Sequence, residues 1–143
     1  MESIKEQVRL FLENVNSVKH AAGVLILCTK TNKVLLLLRN DKKPTWSCIA
    51  GGIKKGEPIL KGLKREIVEE TKLDPDKIEF EYIGDEFNEK DNTYFYYYHG
   101  FVNSELKLEL DYENLEYKWC DFDSLPEPLY PKMKEKIKTI YGK

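Results

Sequence analysis

The period of the apolar positions changes several times along this chain. Ile4, Val8, Phe11, Leu12 and Val15 recur at helical spacing behind Ser3-Ile4-Lys5-Glu6, a capping-box pattern. They predict an amphipathic helix over residues 3–15, packed on the domain or on a second copy of the chain. His20 to Thr29 is a nearly continuous apolar run, as in a strand buried on both faces. A turn at Asn32-Lys33 leads to a second strand, Val34 to Arg39. The polar loop Asn40 to Pro44 and the short extended stretch Trp46 to Ala50 then run into Gly51-Gly52. Pro58 to Thr71 reads as a helix, with Pro58 at the favoured first position and Leu60, Leu63 and Ile67 on its apolar face. Gly62 inside it costs about 1 kcal/mol relative to Ala, so close packing is expected there.

Ile78 to Phe87 and Thr93 to Val102 read as paired strands around the turn 88–92, and Leu115 to Phe122 as another strand. The chain closes with a helix from Pro131 to Tyr141 whose Met133, Ile137 and Ile140 face inward. Helix, strands, helix, strands, helix is the order of an α/β fold with a mixed sheet between helices. No repeat or linker divides residues 1–143, which predicts one domain.

Composition narrows the class. With 41% apolar and 34% charged residues the chain is globular rather than disordered. No apolar run approaches the ~20 residues that span a bilayer, and the N-terminus lacks a signal-peptide core. Cys28, Cys48 and Cys120 are widely spaced without a Cys/His cluster, which predicts reduced thiols in a cytoplasmic protein; the chain is expected to be a monomer or, through the 3–15 helix, a homodimer. The net charge of −2 gives no general attraction to nucleic acid and leaves room for a local basic patch.

The chemistry is concentrated in Gly51 to Leu73, GGIKKGEPILKGLKREIVEETKL. On a helix, Glu66, Glu69 and Glu70 stand at i, i+3 and i+4, which puts three carboxylates on one face. Such a face repels itself unless a cation is shared, and oxygen ligands of this kind suit Mg²⁺, with Mn²⁺ as an alternative. A cation held there can neutralise phosphate oxygens and activate water for in-line attack.

The same stretch resembles the signature of the Nudix (MutT-like) hydrolases, G-x5-E-x7-R-E-U-x-E-E-x-G-U with U aliphatic. Gly51, Glu57, Arg65, Glu66, Ile67, Glu69, Glu70 and Leu73 match, and Lys72 departs from the pattern's Gly. The resemblance implies an α/β/α sandwich and a Mg²⁺-dependent pyrophosphohydrolase acting on a nucleoside diphosphate linked to a group X. It implies Glu69 and Glu70 as direct metal ligands, Glu66 as a third ligand or general base, and the Gly51 carbonyl as a backbone ligand. Glu57 would bind through water or steady Arg65, and Arg65 would orient the carboxylates. Glu113, six residues before Trp119, matches an acidic loop residue that in many members reaches the metals, with Glu116 and Asp111 as fallbacks.

Arg39 and Trp46 stand where the family places phosphate and base contacts; the other readings are a surface cation and a core aromatic. Tyr96 belongs to the run Tyr94-Phe95-Tyr96-Tyr97-Tyr98-His99, whose two faces alternate; one is expected in the core, and the other could stack a nucleobase. The substrate class is a free nucleotide such as a nucleoside triphosphate or dinucleoside polyphosphate. An RNA 5′ end, or a Nudix-fold binding module without turnover, is the alternative.

Overall fold

The computed structural model describes residues 3–8 and 18–142. In chain order the elements are α1 (described over residues 4–8), β1 (Lys19–Cys28), β2 (Lys33–Arg39), β3 (Trp46–Ser47), β4 (Ile49–Ile53) and α2 (Ile59–Thr71). A short 3₁₀ turn (Pro75–Lys77), β5 (Glu79–Asn88), β6 (Thr93–Val102), β7 (Asn114–Cys120) and α3 (Met133–Tyr141) follow. The seven strands form one mixed sheet, whose one parallel pair is β1 with β6 among the described residues.

β1 has two different neighbours on one edge. β4 pairs with it antiparallel over His20 to Val24, and β2 joins only at Leu27 and Cys28. β2 then continues away, taking β7 along one side and the short β3 along the other. The sheet is therefore split between β4 and β2, and that split is where helix α2 brings its charged face.

Alternation assigns the two cores. Val24, Ile26, Leu35, Leu37 and Ile49 pack with Leu63 and Ile67 of α2. Leu25, Val34, Leu36 and Trp46 pack with Met133 and Ile137 of α3 on the opposite face. β1 and β2 have few polar residues because both their faces are covered. The architecture is the expected α/β/α sandwich.

Several boundaries differ from the sequence expectation. The stretch after Trp46 is two strands, broken at Cys48, and Gly51-Gly52 lie inside β4 rather than after it. Pro58 takes an extended conformation (φ −59°, ψ 141°) just before α2 instead of its first helical position. In α1 the Glu6 N–H is bonded to the Ser3 hydroxyl at 3.2 Å, as the capping pattern predicts. Ile4 and Val8 are both exposed, so over these residues the apolar face does not pack on the domain; Phe11, Leu12 and Val15 lie outside the described residues. All three cysteines are free and buried.

α2 ends at Lys72, which adopts φ 60° and returns its N–H to the Val68 carbonyl. A left-handed conformation costs a side-chain-bearing residue roughly 1–2 kcal/mol, part of which Gly gives back as greater freedom when unfolded. Lys72→Gly should raise Tm by about 1–3 °C in thermal unfolding and leave turnover unchanged. A lower Tm would show that the left-handed cap is not strained.

Candidate active site

Helix α2 places Arg65 at the centre of its acidic face. The guanidinium donates Nε and one terminal nitrogen to the two oxygens of Glu57, at 2.9 and 3.0 Å. Its other terminal nitrogen reaches Glu66 at 3.0 Å and both oxygens of Glu69 at 3.2 Å. It also donates to the Gly52 carbonyl at 3.0 Å. One cation thus gathers three carboxylates and the last residues of β4, using the fixed fork that distinguishes Arg from Lys. The Arg65 contact and the Lys54 N–H hold the Glu57 carboxyl down at about 2.

Two glycines allow this assembly. A Cβ at Gly51 would overlap the Glu66 carboxylate, which lies directly against the β4 backbone. A Cβ at Gly62 would stand 2.7 Å from both a Glu57 oxygen and Ile53 Cδ1. The close approach expected at Gly62 is therefore to the loop that delivers Glu57 as well as to the sheet.

Glu70 faces the other way along the split. It is 1% exposed; one oxygen accepts from Asn114 Nδ2 at 3.0 Å and the other has no hydrogen-bond partner. Burial, with Glu113 and Glu66 adding negative charge, raises its carboxyl to about 7 against the pull of Asn114 and Arg39. Burial also raises Glu66. Asn114 is the first residue of β7, and the segment before it is tied to the end of α2: Glu109 N–H bonds the Thr71 carbonyl at 3.0 Å and Asp111 N–H the Glu70 carbonyl at 3.1 Å. Asn40, after β2, donates its N–H to the Glu113 carbonyl at 2.8 Å and its amide to the Tyr112 carbonyl at 2.9 Å. Glu113 is therefore held half-buried within electrostatic reach of Glu66 and Glu70. Glu116 sits exposed within β7, opposite Leu38.

The residues expected to touch substrate are not gathered in one place. Arg39 lines a cavity of about 340 Å³ between the sheet and α3, with Phe95, Tyr97, Lys132 and Lys136 among its walls. Tyr96 is on the α2 side, where its hydroxyl lies 3.1 Å from His20 Nδ1 in a groove of about 600 Å³ beside the Gly52–Glu57 loop. Trp46, read as a base contact or a core aromatic, is 7% exposed inside the α3-side core, because β3 binds β2 on one side and the 128–130 segment on the other. His99 is buried with its Nε2 2.6 Å from the Tyr141 hydroxyl. Sequence reasoning missed Asn114, which no motif marks, and Lys132 and Lys136 at the start of α3.

A sequence description of the NUDIX domain matches residues 19–140. The chain belongs to the Nudix family. It is a Nudix hydrolase, of the enzymes that act on phosphoric anhydride bonds. Solved Nudix structures share the fold at low identity. A C. elegans Ap4A hydrolase, seen as a binary complex, is 23% identical, with TM-score 0.60 over 72% of this chain and 80% of its own. The E. coli dihydroneopterin triphosphate pyrophosphohydrolase is 21% identical, with TM-score 0.59 over 73% and 82%. A Streptococcus suis ADP-ribose pyrophosphatase is 19% identical, with TM-score 0.62 over 80% and 81%. No curated protein matches the chain in sequence.

Nudix hydrolases generally use divalent metals, and this donor set fits a hard cation: carboxylates alone, one with a buried oxygen lacking any partner. Among the described residues no three His, Cys, Asp or Glu side chains are gathered tightly enough to enclose an ion as they stand, since Glu66 and Glu69 are drawn onto Arg65.

The folded state thus carries a carboxylate whose pKa is raised. Folding stability from this group is greatest at low pH and falls as pH rises towards about 7, where Glu70 ionises in place. In a chelating buffer at pH 8, Glu70→Gln should stabilise the Nudix domain by on the order of 1–3 kcal/mol in thermal or urea unfolding, with the gain shrinking at pH 5. A variant less stable at both pH values would contradict the burial argument.

Proposed function

We propose that this Nudix hydrolase is a Mg²⁺-dependent pyrophosphohydrolase acting on a nucleoside diphosphate linked to X, of the nucleoside triphosphate or dinucleoside polyphosphate type. The observation that carries the reading is Glu70: a buried carboxylate with one unpartnered oxygen, beside Glu66 and Glu113, where a cation would be stabilised.

Glu66, Glu69 and Glu70, with the Gly51 carbonyl, would hold the ion. When bound it supplies charge neutralisation for the phosphate oxygens and lowers the pKa of water at the site. Arg65 keeps Glu66 and Glu69 side by side on α2, from where they would turn to the ion, and Glu57 fixes Arg65 and is a ligand through water at most. Glu113 accepts the proton of the attacking water. Water adds to one phosphorus, the anhydride oxygen leaves with the bonding pair, and the nucleotide and X-phosphate separate. Arg39 meets the phosphates at the mouth of the α3-side cavity, where Phe95 and Tyr97, 4.7 Å apart, offer aromatic faces to a base. Of the substrates named for the structural relatives, Ap4A is of this chemical kind, and the pterin triphosphate shares its phosphoric anhydride bonds without being a nucleotide.

Release of phosphate or pyrophosphate from a nucleotide panel with and without Mg²⁺ tests the reading. Turnover should need the metal and fall severely in Glu69→Gln and Glu70→Gln. Metal-independent turnover, or normal rates in either variant, would reject the metal assignment. Glu113→Gln should lower kcat by roughly 10²-fold or more, the scale of a lost general base, with unchanged stability. Glu116→Gln, exposed on β7, should do much less. Equal effects would place the loop carboxylate elsewhere.

A further inference from the structure

Strand β7 changes face once, and it does so beside Glu70. From Cys120 back to Glu116 its side chains alternate regularly. Tyr117 and Trp119 pack against the α2-side core, and Cys120 belongs to the α3-side core. Their partners on β2 agree. Leu35 lies opposite Trp119 and Leu37 opposite Tyr117, both on the α2 side, while Val34 lies opposite Cys120. One more step of the same ladder would set Leu115 opposite Arg39 on the α2 side and turn Asn114 to the α3 side.

The ladder does not take that step. Its register shifts between Leu38 and Arg39, so that Leu38 faces Glu116 and Arg39 faces Asn114. Leu115 is the extra residue of a β-bulge and is 52% exposed, although leucine is a residue that strands ordinarily bury. Asn114 takes the α2-side place that Leu115 gives up. There it is 6% exposed and donates Nδ2 to Glu70 Oε1 at 3.0 Å, while Glu70 Oε2 is buried without a partner. Past the bulge the strands stay joined, the Asn40 N–H bonding the Glu113 carbonyl at 2.8 Å. Exposing a leucine and bringing an amide inside does nothing for apolar packing. Its effect is to fix one oxygen of one carboxylate. Bulges of this kind re-aim side chains beside active sites.

We propose that Asn114 is a positioning residue for the cation site and that the bulge at Leu115 delivers it. Its amide holds one Glu70 oxygen, which restrains the carboxylate and leaves the other oxygen for the ion. Asn114 is not itself a ligand. It acts through Glu70, as the outer hydrogen-bonding partners of metal ligands do. The proposal rests on the reading of Glu70 as a ligand.

The test is calorimetric titration of Mg²⁺ without substrate, with thermal unfolding in chelating buffer to show that each variant is folded. Asn114→Leu, close in size and without a donor, should bind Mg²⁺ about tenfold more weakly than the wild type. Asn114→Ala serves the same purpose if the leucine is not accommodated. Leu115→Ala should bind as the wild type does, because the bulge uses the place of that residue and not its side chain. Deleting Leu115 restores the register, turns Asn114 away from Glu70, and should weaken binding as much as Asn114→Leu; if the shortened strand does not fold, the point variants decide. In the Glu70→Gln background, Asn114→Leu should cost about twofold or less, since the amide acts through the ligand already lost. Folded Asn114 variants that bind as tightly as the wild type would overturn the proposal and leave the cation reading standing, because the amide would then only satisfy a buried carboxylate and its loss would show in Tm alone. A full tenfold loss in the Glu70→Gln background, or wild-type affinity in a folded deletion variant, would overturn it as well. Absence of Mg²⁺ binding to the wild type would overturn it together with the cation reading.

Discussion

The site depends on one guanidinium. Three glutamates at i, i+3 and i+4 on α2 repel one another, and Glu57 approaches them from the preceding loop. Arg65 answers Glu57, Glu66 and Glu69 together and closes on the Gly52 carbonyl, so the same fork that neutralises the face also fixes the end of β4 against the helix. Lysine has no such geometry. Gly51 and Gly62 follow from the same constraint, since a side chain at either would occupy the space in which Glu66 or Glu57 lies.

What Arg65 does not reach is Glu70, and the proposed cation site rests on this division. One end of the acidic face is satisfied by an internal cation. The other is buried, raised in pKa and left with an unpartnered oxygen. The split between β4 and β2 exists because β1 gives most of one edge to β4 and only two residues to β2. Across that split the Asn40 and Asn114 bonds bring the Glu113 loop to the helix.

Much of this was legible in the sequence because it is local. The i, i+3, i+4 spacing, the apolar stripe of α2 and the departure from glycine at Lys72 are all written within one stretch, although Pro58 stands just before the helix rather than at its first position. Alternation along 94–99 likewise separated the two aromatic faces correctly. What stayed hidden is tertiary. Asn114 acts through a partner 44 residues away, and Lys132 and Lys136, at the start of α3, enter a cavity only because α3 returns across the sheet. Trp46 reads equally well as a base contact or a core ring, and only the pairing of β3 decides for the core. The exposed Ile4 and Val8 show the same limit, since periodicity marks an apolar face without saying what covers it.

The central claim is that the unsatisfied end of the α2 face is a cation site. Calorimetric titration of Mg²⁺ into the wild-type protein and into Glu70→Gln addresses it directly, with no substrate present. The account predicts saturable binding to the wild type and binding at least about tenfold weaker to the variant, the scale of one lost charged ligand. Equal affinities, or no binding to the wild type, would contradict it.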